Sequence, residues 1–562
     1  LSDATMFDAI VVGSGISGGW AAKELTEGGA KVLMIERGRN VRHGEDYTYE
    51  HVPPWEMPFR GLGDRRRIAR DYPIQSRSRS FDEASAQFYA NDRDHPYQVE
   101  QGSAFSWLRG QQTGGRSLIW GRVAMRLSEL NFSENRLDGH GVDWPIRYAD
   151  VARWYDYVER FIGVSGNRDG IDSLPDGQFL PPFAMNCIEE HASKAIKTNF
   201  PGRRLIHART AVLSEDHGGR AKCHFCGPCH HGCSTGSFFS TQSSTLPAAE
   251  ATGRLTLLND TIVAGIDYDP KSKRATGVRT IDSKTGEQRT FTARLIFVNA
   301  STLGTLHILL NSVSEAFPRG LANSSGVLGH GIMDTMKGPV VTGTFDGYDG
   351  FQPVGNRPAG IYIPRFRNVG AKDADFLRGY GFQGGASRAL WTRGVDMPLF
   401  GAELKQALRK PGPWRLMLAG MAEPLPNPRN QVSLDPKEKD KWGLPQLRVR
   451  FAWSDNERRM VDDILTQGEA MLRAAGAVHI DKVNEIKPGG ETNHEMGGAP
   501  MGHDPAGSVL NRFNQAHDVP NLFVTDGACM SSSPCQNPSL TYMALTARAA
   551  DYALTRMKQG AL

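Results

Sequence analysis

The chain has 562 residues, of which 39% are hydrophobic and 22% charged; this balance excludes a disordered chain, and the length allows about three or four domain-sized units. Lysine and arginine exceed aspartate and glutamate by only four, so nucleic acid is not the expected partner. No apolar run reaches the ~18 residues that span a bilayer, so no integral membrane segment is expected.

Phe7 to Val12 (FDAIVV) reads as a short strand. It runs directly into Gly13-Ser14-Gly15-Ile16-Ser17-Gly18, then into a helical pattern from Gly19 to Leu25. A second strand, Lys31 to Ile35, ends at Glu36. Strand, glycine turn, helix, strand and acid are the parts of a dinucleotide site. Gly13 allows the tight turn, Gly15 lets a pyrophosphate approach the backbone, and Gly18 permits close helix–strand packing. The helix N-terminus meets the phosphates with its positive end. Glu36 accepts from ribose hydroxyls, and Arg37 beside it joins the candidate cofactor contacts. The alternative is a plain glycine-rich turn, which would not need the strand, helix and acid in their places.

Residues 61–80 hold six arginines, read as a solvated loop with local ion pairs in preference to a docking face. Further on, Cys223, Cys226, Cys229 and Cys233 form C-x2-C-x2-C-x3-C. This is the spacing of a bacterial ferredoxin loop, and the expectation is one iron–sulfur cluster, three-iron or four-iron. Zinc is the rival, although it more commonly takes two separated pairs. His224, His230 and His231 share the loop, while Cys187, Cys529 and Cys535 are expected to be packed thiols. From about 254 to 300 short β-like runs alternate with turns, including 255–258, 277–280 and 295–298, with 282–286 as a hairpin tip. One more strand at 522–524 precedes a closing helix from about Ser539 to Met557.

These blocks together resemble the glucose–methanol–choline (GMC) flavoprotein oxidoreductases. The resemblance is carried by the N-terminal glycine motif, by Thr113-Gly114-Gly115-Arg116-Ser117 through Trp120, by Asp143-Trp144-Pro145, and by 324–329 with Met333-Asp334. It continues through His494 to Gly502, Asn521 to Gly527 and Cys535 to Thr541. It implies an α/β fold: a Rossmann-like FAD domain of discontinuous segments and a substrate domain containing an antiparallel sheet. The FAD parts would be 1–140, 206–335 and 490–562, and the substrate parts 141–205 and 336–489. Gly114, Gly115, Ser117, Asp526, Gly527, Asn537 and Pro538 join the implied cofactor contacts.

Three departures stand out. Asn299-Ala300-Ser301 replaces the usual Ala-Ala-Gly turn, and Thr335 replaces the usual His after Met-Asp. Ile119 occupies the place of the histidine that bonds flavin in covalent members, so FAD is expected to be non-covalent. The cysteine run, with 237–245 after it, is similar to the iron–sulfur flavoprotein subunits of bacterial glucoside 3-dehydrogenases.

Alcohol oxidation needs a base for the hydroxyl proton and an acceptor for hydride. His494 is the candidate base, since imidazole titrates near neutrality; His503 is the weaker rival. Asn537 can hold the same hydroxyl through its amide, or it can act as the N-cap of a helix that places Pro538 first. The resulting expectation is an FAD-dependent dehydrogenase that oxidises a secondary hydroxyl, at C3 of a sugar or glycoside, to a ketone. Electrons would leave through the cluster to a c-type cytochrome or other partner. An oxygen-using sugar or alcohol oxidase is the near alternative, and a redox-inactive flavoprotein is the alternative of another class. The first residues show no export signal, and the resemblance implies a small signal-bearing subunit that carries the chain to the periplasm, with the cytoplasm as the alternative.

Overall fold

The computed structural model describes residues 6–395 and 397–562. The strand Phe7–Val12 lies near the middle of a seven-stranded mixed sheet, parallel to Val32–Ile35 on one side and to the end of Gln288–Val298 on the other. Leu255–Leu258 extends it in parallel beyond Val32–Ile35, and Leu522–Val524 pairs in parallel with Gln288–Val298. Strands buried on both faces must be apolar throughout, which is why FDAIVV, VLMI and LIFV show no alternation. The long strand Gln288–Val298 serves two purposes. Its last residues complete the parallel sheet, while its first five pair antiparallel with Arg274–Asp282, which pairs in turn with Thr261–Asp269.

Helix Ile16–Glu27 covers this sheet and packs against the closing helix Ser539–Lys558. Ala21, Ala22 and Leu25 meet Ala549, Ala550 and Ala553 in one buried cluster. Small residues on both helices let their axes approach closely.

A second sheet is wholly antiparallel, in the order His479–Val483, Met336–Phe345, Trp414–Ala422, Tyr380–Arg388, Ile361–Ile363, Ile206–His207. Helix Asp455–Ala474 covers one face, burying Met460, Ile464 and Leu472 against Val341, Phe382 and Leu418. Because strand side chains alternate, Leu416 and Leu418 go to the helix, whereas Met417, Ala419 and Met421 line a cavity on the other face. The two sheets therefore present their inner surfaces to one space. Among the described residues no helix is long and apolar enough to cross a membrane.

The Asn299-Ala300-Ser301 turn links the parallel sheet to helix Thr302–Asn311. Ser301 holds φ +67° and ψ 156°, a region that glycine alone occupies without strain, at a cost of about 1–3 kcal/mol for other residues. Its hydroxyl accepts from Arg116 at 3.0 Å, which offsets part of that cost. Ser301→Gly should raise unfolding stability by about 1 kcal/mol, read from urea denaturation. A loss of stability would show that the Arg116 contact outweighs the strain.

Candidate active site

One cavity of about 1610 Å³ is walled both by the glycine turn and by the second sheet. Gly13, Gly15, Glu36 and Arg37 contribute to it, as do Gly115, Ser117, Asp526 and Gly527, and so do His494 and Asn537. The structure thus brings these candidates into one space. Gly18, Gly114 and Pro538 stand behind the wall.

The turn suits a bound dinucleotide. Gly13 has φ +91°, and a Cβ there would lie 2.3 Å from the Asn299 carbonyl oxygen. A Cβ on Gly18 would fall 1.9 Å from the Gly13 oxygen. These two glycines are demanded by the protein's own packing. Gly15 is different: a Cβ would meet nothing within 4 Å, so the glycine keeps open the space that a pyrophosphate would fill. The helix that follows has no side-chain cap and no acid in its first turn, leaving its N–H groups for an anion. Glu36 is buried and braces the turn, accepting from Ser14 N at 3.1 Å and Gly38 N at 2.8 Å. Burial raises its pKa, and the Ser14 and Gly38 bonds oppose the rise. Arg37 reaches toward Asp440 at 3.5 Å and His95 Nδ1 at 3.2 Å. Asn299 Nδ2 and the Tyr542 hydroxyl line the same cavity, buried and without a hydrogen-bond partner among the described residues. Such orphaned groups mark where a polar ligand belongs.

At the second sheet the polar groups form a chain. The Thr335 hydroxyl donates to the Pro534 carbonyl at 3.1 Å, so it accepts from His494 Nδ1 at 3.1 Å. The proton of His494 is thereby fixed on Nδ1, and Nε2 is left bare. Asn537 Nδ2 donates to that Nε2 at 3.1 Å. Gln383 Nε2 donates to Asn537 Oδ1 and fixes the amide's orientation. Burial, followed by the charges of Lys337 and Arg116, pushes the His494 pKa down to about 3. The imidazole is a neutral acceptor throughout the ordinary pH range.

The backbone behind it is held by Asp334. Its buried carboxylate accepts N–H bonds from Gly490 at 2.8 Å, Thr492 at 3.3 Å and His494 at 3.0 Å. Burial and the nearby Glu495 raise the Asp334 pKa to about 7 against these bonds. Arg116 pairs with Glu495 at 2.8 Å. Asn537 is not the helix cap proposed as one of its readings: the closing helix begins at Ser539 with Pro538 as its cap. The Asn537 amide is spent on His494 and Gln383 instead. His503 does not line the cavity wall that His494 shares.

The cysteine loop is a built structure. His230 and His231 both direct Nε2 to Asp82 Oδ2, at 2.8 and 2.7 Å. Burial would raise the Asp82 pKa, but these bonds hold it well below the carboxylate range. Ser234 N donates to Glu50 at 2.7 Å, and Asn356 Nδ2 donates to the Cys226 carbonyl at 3.0 Å. Phe225 N donates to Cys223 Sγ at 3.4 Å. Burial raises Cys223 to about 11, and the other three thiols add to the rise. Among the described residues, Asp82, His230 and His231 are the one group of potential metal-ligand atoms lying within 4.8 Å of one another. No three sulfurs come that close, whereas tetrahedral zinc with ~2.3 Å bonds requires it. All seven cysteines are free thiols, with Cys529 and Cys535 buried and Cys226 exposed.

The arginines of 61–80 divide between two uses. Arg67 pairs with Glu83 at 2.9 Å, as local pairing predicts, whereas Arg77 and Arg79 reach the cavity wall. Sequence reasoning missed Gln383, Asn299, Tyr542 and Lys337. Gln383 and Lys337 sit on ordinary strands and Tyr542 on a helix with no local motif, and Asn299 is visible only as part of the altered turn, not as a polar group of the site.

Comparison with known proteins agrees with this geometry. GMC oxidoreductase family models match residues 7–316 and 426–546. The chain is 29% identical to 2-methyl-1,2-propanediol dehydrogenase of Mycolicibacterium austroafricanum, over 98% of this chain and 96% of that one. It is 25% identical to the fructose dehydrogenase large subunit of Gluconobacter japonicus, over 98% of both. Against the gluconate 2-dehydrogenase flavoprotein of Pantoea cypripedii it is 26% identical, over 96% and 92%. Among solved structures, formate oxidase of Aspergillus oryzae RIB40 superposes with a TM-score of 0.61 at 14% identity, covering 100% of both chains. Pyridoxine 4-oxidase from Mesorbium loti gives 0.60 at 15%, covering 97% of this chain and 98% of that one. With the family models spanning well over half its length, the chain belongs to the GMC oxidoreductase family of FAD-dependent enzymes that act on CH–OH donors.

Proposed function

We propose that this protein is a dehydrogenase that oxidises a secondary hydroxyl of a sugar or glycoside, at C3, to the ketone. Its electrons leave through an iron–sulfur cluster to a c-type cytochrome or similar partner. The observation that carries the reading is the bare His494 Nε2 beside Asn537 Nδ2 in a cavity shared with the dinucleotide turn. The names of the fructose and gluconate dehydrogenase relatives support a sugar-like substrate. A small signal-bearing subunit and a periplasmic location complete the proposal and rest on the likeness of the cysteine run alone.

The chemistry follows from the hydrogen-bond chain. A hydroxyl entering between the two side chains donates to His494 Nε2 and accepts from Asn537 Nδ2. His494 withdraws the hydroxyl proton, and the Nδ1–Thr335 bond holds the ring as it becomes cationic. Gln383 keeps the Asn537 donor turned toward the oxygen. FAD, when bound, supplies the acceptor for the carbinol hydrogen and its electron pair. The closing helix begins at Ser539 on the cavity wall, and its N-terminus would offer a positive dipole end to the charge that a reduced flavin carries. Cys223, Cys226, Cys229 and Cys233 would hold the cluster, which supplies a one-electron exit.

The reading is tested by mixing the yellow holoprotein with a panel of sugars and glycosides without oxygen. A glycoside should bleach the flavin absorbance, and a protein that stays yellow with the whole panel would contradict a sugar dehydrogenase. His494→Ala should slow bleaching by ~10²–10⁴-fold with FAD retained, and Asn537→Ala should slow it less. Because the imidazole is already neutral above pH about 3, protonation of His494 should contribute no fall in the wild-type rate between about pH 8 and about pH 5. A fall there with the imidazole protonated in its nitrogen-15 spectrum would contradict a neutral His494, whereas a fall with the imidazole still neutral belongs to Asp334 or Asp526, which burial raises to about 7 and about 6.

Ile119 lines the cavity without a group that can bond flavin. Denaturation and precipitation should therefore leave FAD in the supernatant; flavin in the pellet would mean a covalent link through another residue.

Serine at Cys226 or Cys229 replaces a soft thiolate with a poor ligand. Iron content and the cluster's magnetic resonance signal should fall, sugar should still bleach the flavin, and transfer to a cytochrome should collapse. Normal transfer in a folded, cluster-free variant would make the cysteines structural.

A further inference from the structure

Lys337 is the second residue of the strand Met336–Phe345, two places beyond the Thr335 that orients His494. It pairs with Met421, and the register then shifts so that Val340 pairs with Ala419. Gly338, at φ +140°, lies inside this bulge. In a regular strand, residues three apart point to opposite faces. Here Lys337 and Val340 both line the cavity, together with their partners Met421 and Ala419. Bulges re-aim side chains in this way beside active sites.

The ammonium so aimed is half-buried and makes no hydrogen bond or ion pair among the described residues. The other cations of this wall, the solvent-exposed Arg79 apart, are engaged. Arg116 pairs with Glu495, Arg357 with Glu189, Lys487 with Glu485 and Arg77 with Glu491. Arg122 donates to the Trp120 carbonyl at 3.0 Å, and Arg79 is exposed to solvent. The acids nearest Lys337 in charge are Asp334 and Glu491. Asp334 is filled by three backbone N–H groups, and Glu491 accepts from the Ser106 hydroxyl at 2.9 Å. A partly desolvated, unpaired ammonium calls for an acceptor that arrives with the ligand.

We infer that Lys337 is a further catalytic residue, which donates to the substrate oxygen as His494 removes its proton. The inference rests on the proposed alcohol oxidation and deepens it. When the O–H bond breaks, the proton goes to His494 Nε2 and the electron pair stays on oxygen. Lys337 holds that negative oxygen until the C–H hydrogen has left with its electron pair, flavin being the two-electron oxidant, and C=O has formed. Burial, Arg79 and Lys487 lower the Lys337 pKa while Asp334 and Glu491 raise it. Burial first, and then this ammonium and Arg116, keep His494 neutral. The group thus serves both ends of the proton transfer.

The test uses the FAD-loaded protein, Lys337→Met and Lys337→Arg, with methyl β-D-glucopyranoside as the reductant and no oxygen. Loss of one donor to a developing oxyanion lowers the limiting rate by ~10²–10³-fold. Lys337→Met should therefore bleach that much more slowly, with the sugar's saturation constant changed less than about threefold, and Lys337→Arg should recover to within about tenfold of wild type. The acid limb of the rate should move to higher pH in Lys337→Met, because His494 loses a neighbouring positive charge. Formate ion supplies a readout independent of turnover. It should perturb the flavin absorbance of the wild type and bind at least about tenfold more weakly to Lys337→Met. A Lys337→Met protein that bleaches within about threefold of wild type, or binds formate equally well, overturns the inference. So does a fall in flavin midpoint potential large enough to account for the slower rate, since the ammonium would then serve the cofactor. If no sugar reduces the wild type yet formate binding is weakened in Lys337→Met, the cation faces the site and it is the proposed substrate that fails.

Discussion

The buried carboxylate of Asp334 joins the two halves of the molecule at the point where chemistry is expected. It leads into the strand Met336–Phe345 of the antiparallel sheet, yet its bonds go to the backbone of 490–494, which belongs to the C-terminal stretch of the chain. Three N–H donors are what a buried carboxylate needs to remain satisfied. They fix the His494 backbone while the next residue, Thr335, fixes its ring. Position and tautomer of the imidazole are thus set by two adjacent side chains. A Thr in place of the more usual His does this by spending its own proton on Pro534. The departure from the family pattern therefore preserves a neutral base with a bare Nε2.

Around that anchor the cavity divides its labour. The glycine turn offers backbone and open space, and Gly15 is the position where a side chain would intrude on nothing but the ligand. Asn299 and Tyr542 offer polar atoms that the protein leaves unused. The antiparallel sheet offers a half-polar floor of Gln383, Met417, Ala419, Met421 and Lys337. The cysteine loop touches the same cavity through Phe225 and His230. The Asp82 clamp ties that loop to the segment that also carries Arg77 and Arg79.

Much of this architecture is legible in the sequence where the signal is local. FDAIVV, VLMI and LIFV are continuous apolar runs because both faces of their strands are covered, and each forms the strand it predicts. Gly18 is legible because the atom that demands it, the Gly13 oxygen, is five residues away, whereas the Asn299 backbone that demands Gly13 is distant in the chain and only the glycine motif announces it. Asn537 marks the limit of local reading. Before Pro538 it looks like a helix cap, but long-range contacts with Gln383 and His494 claim its amide. Lys337 is hidden for a related reason: only the bulge at Gly338 turns it inward, and a bulge is visible only once Met421 is known to pair with it. Ser301 carries no sequence signal of strain, since serine is common in turns. Its φ betrays the glycine it replaces.

The account turns on the tautomer of His494. Nitrogen-15 resonance of the imidazole in the flavin-loaded protein, assigned by comparison with His494→Gln, reads it directly. The hydrogen-bond chain from Pro534 through Thr335 predicts a protonated Nδ1 and an unprotonated Nε2 at neutral pH, with no change on acidification to about pH 5. A proton on Nε2, or an imidazolium at neutral pH, would contradict the assignment of His494 as the base and the arrangement built around Asp334.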